Sequence, residues 1–364
     1  MLYTYPDYYW EFTCVADKCE ETCCAKWQIV IDDESLARYK NYKGQYSEIL
    51  QKGIDLKNEI FKQDKCGRCY FLDEDNLCDM HKNMGEDALC YTCKMYPRHI
   101  EEFENVREYN LSISCPEVAR ILLSRKEPVN YIEKYIEEDE EEYEDYDLLL
   151  YSYLEGARVK IKEILQDRTS DIWSRFASVW SVADKLQSGI DNNDMFADDV
   201  GIYEVTEEKI ANKLSMLQGY DFAKNVSDTL WKLESISKEW DYQFLETEML
   251  LYRKGKDAYE TLSREYDEWI SRNMKELDIV LEQIMVYFIY TYMCGAVYDG
   301  YLNSKIRMSL VSMYYINEML KARWIKNDKT LEFDDVIYAT YKYSRQLEHS
   351  DENLIKMEEM MDEM

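Results

Sequence analysis

The sequence predicts a mainly α protein in two parts, a cysteine-rich N-terminal domain with little regular structure followed by an all-helical C-terminal domain. Three observations carry this expectation. Ten of the 11 cysteines fall between Cys14 and Cys115. The four prolines, Pro6, Pro97, Pro116 and Pro128, leave the final 236 residues without the residue that breaks helix interiors. Within that stretch Trp173, Phe176, Ala177, Trp180 and Ala183 recur at three- and four-residue spacing, the pattern of one buried helical face, and Ile306 to Leu320 repeats it.

In the N-terminal part, short segments alternate with turns at Gly44, Gly67 and Gly85. Two helices are expected there. One is capped by Asp32 or Asp33 and runs through about Tyr42; the other begins at Pro116, tolerated in a first turn, and runs to Ser124. The C-terminal part, rich in Leu, Glu, Lys and Met, predicts a bundle of about seven or eight helices. Its longest uncharged stretch, Gln283 to Tyr298, has 16 residues and several tyrosines, short for a membrane span, and reads as a buried helix. Between the parts lies the acidic block Glu137-Glu138-Asp139-Glu140-Glu141-Glu142-Tyr143-Glu144-Asp145. Like charges of this density cannot enter a core, so the block reads as a solvated linker, with a docking tail for a basic partner as the rival. The expected division is a cysteine-rich domain over 1–127, an acidic linker over 128–146 and a helical domain over 147–364.

Charge narrows the function. Seventy-four acidic residues against 44 basic ones leave a net charge of −30, which repels phosphate backbones and anionic lipid, so neither nucleic acid nor a membrane is expected as a partner. The opening Met1 to Asp7 has neither the basic nor the apolar region of a secretory signal, and a cytoplasmic location is expected. Cytoplasmic thiols stay reduced, which favours metal over disulfides.

The spacing then suggests how metal is held. Cys14-x4-Cys19-x3-Cys23-Cys24, Cys66-x2-Cys69-x8-Cys78, Cys90-x2-Cys93 and Cys115-Pro116 place thiolates where turns can converge them on one centre. Cys66, Cys69, Cys90 and Cys93 alone fit a four-cysteine zinc ribbon. That leaves six N-terminal cysteines unexplained, and the scarcity of histidine favours an all-sulfur iron–sulfur cluster; both metals stay open at this point. The N-terminal domain is thus read as metal-binding. Cys294, inside an apolar helix, reads as a small core side chain.

Other chemistries find no support. The radical-enzyme pattern C-x3-C-x2-C is not met, because Cys24 directly follows Cys23. No glycine-rich turn offers a dinucleotide cradle. His81, beside Lys82, reads as exposed rather than ligating, and His99 and His349 have no supporting pattern.

The order of motifs does support a resemblance. Cys19-Glu20-Glu21-Thr22-Cys23-Cys24-Ala25-Lys26-Trp27 with Asp32 downstream, Cys69-Tyr70-Phe71-Leu72, Leu77-Cys78, Thr92-Cys93-Lys94-Met95-Tyr96-Pro97-Arg98 and Ser114-Cys115-Pro116-Glu117 resemble the flagellin lysine-N-methylase family, whose N-terminal part is a zinc- or iron-chelating domain with a paired-cysteine signature. The likeness covers about residues 10–120, with a weaker echo in Ile284 to Tyr290. It implies methylation of flagellin lysines, S-adenosylmethionine as donor, and a [4Fe–4S] cluster, with zinc the alternative metal and an electron donor as a further partner. The family's cysteine positions fall on Cys14, Cys19, Cys23, Cys24, Cys69, Cys78, Cys93 and Cys115. Cys66 and Cys90 depart from the pattern and read as peripheral. Arg98 is the candidate clamp for the donor's carboxylate, since guanidinium binds carboxylate bidentately. No catalytic base is singled out among 33 tyrosines. The rival reading is a non-catalytic, zinc- or iron-stabilised adaptor whose helical domain binds a partner protein.

Overall fold

A computed structural model describes residues 1–139, 141–196 and 203–362. The N-terminal part contains β1 (Leu2–Pro6), α1 (Asp33–Asn41), α2 (Ser47–Gly53), β2 (Ile54–Asp55), β3 (Ile60–Phe61), α3 (Asp79–Met84), α4 (Tyr91–Met95), β4 (Arg98–Phe103), β5 (Val106–Leu111), α5 (Pro116–Leu123) and β6 (Tyr131–Tyr135). The expected helices are both present. Asp32 caps α1 by accepting from the Ser35 amide at 2.9 Å, and α5 starts at Pro116.

Not expected from sequence is a four-stranded sheet in the order β4-β5-β1-β6. β1 runs parallel to β5, pairing Tyr3 with Arg107, and antiparallel to β6, pairing Tyr3 with Lys134. β6 therefore falls within the segment expected as linker. Of the acidic block, Glu138 accepts from the Tyr3 hydroxyl at 2.5 Å and Glu141 from Arg107 at 2.5 Å, tying the tract to the sheet; Glu140 lies outside the described residues.

The C-terminal part consists of α6 (Leu148–Gln166), α7 (Ile172–Asp191), α8 (Glu207–Leu217), α9 (Tyr220–Leu230), α10 (Lys238–Leu251), α11 (Lys256–Asn273), α12 (Leu277–Tyr292), α13 (Leu302–Lys326), α14 (Phe333–Glu348) and α15 (Asp351–Asp362). These ten helices among the described residues exceed the seven or eight expected. Proline was the wrong punctuation mark to count: Asp171, Thr206 and Ser237 accept from backbone amides to start helices, and Gly255, at φ 79°, precedes another.

α13 is the central rod, buried from Leu302 to Trp324 with few interruptions. Its charges survive burial because they are paired: Lys305 with Asp299 and Glu358, Lys321 with Glu318 at 2.6 Å. Leu277–Val297 is long and apolar enough to cross a membrane by length and composition, and 83% of it is buried within the protein.

The apolar interior divides unequally. The large core takes in the helices together with Tyr8, Phe103, Leu111, Ile113, Val118 and Leu122, so the sheet and α5 pack with the helical part. A second, small core gathers Ile29, Ile31, Leu36, Tyr39, Leu50, Phe61, Phe71 and Met80 around Cys69 and Cys90. A lobe with so little apolar interior ordinarily needs a covalent or metal staple, and all of its cysteines are free.

Candidate metal centre and adjoining cleft

Backbone pairing brings the cysteine segments together. The Cys69 amide donates to the Cys24 carbonyl at 2.9 Å, Lys26 N–H to Gly67 C=O at 2.9 Å, and Leu72 forms a bridge with Cys78. Gly67 sits at φ 75°, a left-handed turn that a side chain would strain. Asp73 holds the Cys69–Cys78 turn by accepting from the Asp75 and Leu77 amides, each at 2.9 Å. Asp32 does double duty, capping α1 with one oxygen and accepting from the Tyr91 amide at 2.8 Å with the other, which fixes the Cys90–Cys93 turn.

Electrostatic influence links the thiols in a network: Cys24 with Cys23, Cys69 and Cys78, Cys69 also with Cys90, and Cys93 with Cys24, Cys69 and Cys90, while Cys19 and Cys115 adjoin through Cys23. Two neighbouring pairs interact most strongly. A hydrogen bond from Cys24 pulls Cys23 down to about 7, with Arg345 adding to the effect, while Cys24 rises. Cys90 is likewise lowered by its bond with Cys93, which rises. Burial pushes Cys69 up to about 11 and Cys115 up to about 12, and raises Cys19 and Cys78. Buried thiols that resist ionising on their own give up the proton to solvent when a metal cation binds the thiolate, which is how metal binding and folding become coupled.

The eight expected ligands are not equivalent. Cys14 is exposed, and Cys19, Cys23, Cys24, Cys78 and Cys93 are partly buried, Cys69 and Cys115 fully. Among the described residues no three His, Cys, Asp or Glu side chains are drawn in closely enough to hold a metal ion as they stand. The donor chemistry does fit an iron–sulfur group: the surrounding thiols are all free. Of the two cysteines that depart from the family pattern, Cys66 is exposed and Cys90 is fully buried and adjoins Cys93. Its place at the N-terminus of α4, one turn from Cys93, was the signal for it. Cys294 is buried in the helical core.

The helical part grips this centre. Arg345 of α14, 5% exposed, donates to the carbonyls of Ser114 (2.9 Å), Thr22 (3.2 Å) and Glu21 (3.3 Å), so one guanidinium spans the loop before Cys23 and the residue before Cys115. Glu21 also pairs with Lys26 at 3.1 Å and with Lys342, and both lysines reach Glu239 of α10. These three cations hold the buried Glu21 carboxyl below its usual range against the opposing effect of burial. None of this was visible in the spacing of the cysteines.

Beside the centre opens a cleft of about 470 Å³, walled by Trp27 and Tyr96 of the cysteine lobe, Arg98 to Glu101 of β4, Tyr287 and Tyr292 of α12, and Glu348 and His349 at the end of α14. Tyr287 and Tyr292 donate to one oxygen of Glu348 at 2.6 and 2.7 Å, and Ser344 donates to the other. Burial raises the Glu348 carboxyl even so. His99 bonds Glu101 at 2.6 Å; burial opposes its protonation, but Glu101 outweighs it and the imidazole is raised overall. Arg98 is exposed at the rim, its guanidinium 5.6 Å from the Phe12 ring centre, and among the described residues it makes no ion pair.

Known proteins resemble the chain in sequence. The family model described as FliB lysine N-methylase C-terminal domain matches residues 158–364. Lysine-N-methylase of Salmonella typhimurium is 30% identical over 141 residues, 36% of this chain and 35% of that protein, and lysine-N-methylase of Salmonella choleraesuis matches to the same extent. The flagellar biosynthetic protein FliU of Salmonella muenchen is 34% identical over 129 residues, 33% of this chain and 76% of FliU. The chain thus spans about a third of the length of the two lysine-N-methylases it matches. No solved structure matches it. With the match at 158–364 covering more than half of its residues, the chain belongs to the FliB lysine N-methylase family.

Proposed function

We propose that this chain is a cytoplasmic protein-lysine N-methyltransferase that acts on flagellin, takes its methyl group from S-adenosylmethionine, and holds a [4Fe–4S] cluster on its N-terminal cysteines. The observation that carries the reading is the juxtaposition of the thiol centre with the cleft bearing Arg98, Glu348 and His99. The flagellar and lysine-N-methylase names of the relatives support lysine on a flagellar protein as the acceptor.

A cleft of about 470 Å³ is within the range that small ligands occupy. Arg98, free of protein carboxylates, suits the amino-acid end of the donor. The acceptor lysine arrives as an ammonium, drawn by Glu101 and Glu348, and must lose a proton before its nitrogen can attack. His99, held by Glu101, is placed to take that proton. The amine lone pair then forms the N–C bond to the methyl group as the C–S bond breaks, its electrons returning to sulfur to leave S-adenosylhomocysteine. Trp27, Tyr96, Tyr287 and Tyr292 wall the cleft and limit the directions from which the amine can approach. Cys23, Cys24, Cys69, Cys78, Cys90 and Cys93 are the residues to hold a cluster, with Cys19 and Cys115 flanking. When bound, it would supply an electron-transfer centre beside the cleft.

The test is to purify the protein without oxygen, measure iron and zinc, and incubate it with donor and flagellin under reducing conditions. Methyl increments on flagellin lysines by mass spectrometry are expected. Their absence with the metal centre intact refutes the activity and leaves the metal-stabilised adaptor.

A further inference from the structure

The outer face of the sheet carries aromatic rings where most solvent-facing sheets carry polar side chains. Tyr5 stacks on Tyr109 with centroids 4.8 Å apart, Tyr3 also stacks with Tyr109 at 6.0 Å, and Trp10 packs against Tyr5 at 5.0 Å while staying 52% exposed. The register explains the grouping: Tyr3 and Tyr5 of β1 point to the face opposite from Thr4, whose hydroxyl bonds Tyr290 of the helical core. The same face reaches the cleft, because Ile100 pairs with Tyr109 across β4 and β5 and, with Arg98, also walls the cleft.

Two observations say what this face binds. A lysine already occupies it: the Lys134 ammonium of β6 lies 4.2 Å from the Trp10 ring centre and 5.4 Å from that of Tyr5. Carboxylates outnumber cations around the face: Glu138 accepts from Tyr3, Glu141 and Glu102 share the one guanidinium of Arg107, and Lys134 is the other cation there. Aromatic faces rimmed by carboxylates attract ammonium groups, and cation–π contacts strengthen that attraction where water is excluded. Aromatic sheet faces also stack nucleic-acid bases, but a phosphate backbone would meet those carboxylates.

We propose that this face docks a lysine-rich polypeptide segment of the acceptor protein and leads it towards the cleft, with Lys134 as an internal stand-in for the incoming cation. The proposal deepens the methyltransferase reading and rests on it for the direction of the chain, though the docking itself needs no methyl donor.

A short fluorescein-labelled peptide alternating lysine and serine tests it by anisotropy at low salt with the whole protein, beside a glutamine counterpart and labelled oligo-uridylate. The lysine peptide should bind at least about tenfold more tightly than either control, and Trp10→Leu should weaken it about fivefold. Trp10 is half exposed, so the fold should persist, which an unchanged melting temperature verifies. Lys134→Ala should tighten binding about twofold by freeing the Trp10 face. Equal affinity for lysine and glutamine peptides, preference for oligo-uridylate, or indifference to both substitutions overturns the proposal. Peptide docking on the Trp10 face without flagellin methylation would sink the activity and keep the docking; methylation with the same KM in wild type and Trp10→Leu would do the reverse.

Discussion

The Nε of Arg345 lies 2.9 Å from the carbonyl oxygen of Ser114, and that single contact ties the last long helix of the core to the residue before Cys115. The same guanidinium reaches Thr22 and Glu21, and a buried arginine so engaged cannot be removed without leaving carbonyls and the Glu21 carboxylate underpaired. Arg345→Met should lower stability by about 3 kcal/mol and reduce metal content, and Arg345→Lys should recover little, since an ammonium cannot serve three divergent carbonyls. Urea denaturation and metal analysis of anaerobically purified variants check both.

Cysteine substitutions should sort by burial and pairing. Cys93→Ser and Cys90→Ser are expected to lose metal and solubility together, because the two thiols form one pair. Cys66→Ser, at an exposed position, and Cys294→Ser, in the helical core, are expected to keep it. Equal metal in all four variants would show that the N-terminal assignment is wrong.

Arg98→Ala should raise the donor KM about tenfold and leave the melting temperature unchanged, because Arg98 is exposed and makes no ion pair among the described residues. A KM for the donor that stays put removes Arg98 from the binding site.

His349 makes stability depend on pH. Burial first, and the nearby Arg345 charge second, push its imidazole from 6.5 down to about 3. Between those values the unfolded chain binds a proton that the folded protein does not, so this residue's contribution is complete above pH 6.5 and falls as the pH drops through the window. The slope reaches about 1.4 kcal/mol per pH unit. His349→Gln, which keeps a polar group near Ser114, should flatten it, as read from urea midpoints at about pH 7 and about pH 5.

Deep in the core, Glu282 is fully buried and accepts from Arg168 at 2.7 Å and Arg175 at 2.8 Å. Glu282→Leu strands two guanidiniums and should cost about 3 kcal/mol or more, visible as a drop in the thermal midpoint.

What the sequence showed depended on whether the signal was local. Asp32 as a cap, Pro116 as a first-turn residue and the Trp173–Ala183 stripe are contained within single helices, and all three are where they were expected. The sheet was hidden because its inner face is polar: Thr4, Glu108 and Asn110 point inward and are satisfied by Tyr290, Arg158 and Thr291, so no apolar alternation marks the strands. Its order also pairs residues about a hundred apart, Tyr3 with Arg107 and with Lys134. At the centre, spacing identified the cysteine segments, but Cys90 was set aside because it departed from a pattern, and Arg345 and His349 arrive from far along the chain with nothing nearby to announce them.

The Glu21, Lys26, Glu239 and Lys342 lattice has a consequence for how the protein can be taken apart. A fragment cut after the cysteine region would carry all ten N-terminal thiols and yet lack Arg345, Lys342 and the α12 wall of the cleft. The lobe is not a portable cassette. Damage to its sulfur should be felt in the helices, and a loosened helix should be felt at the sulfur, so the two halves age and fail as one object.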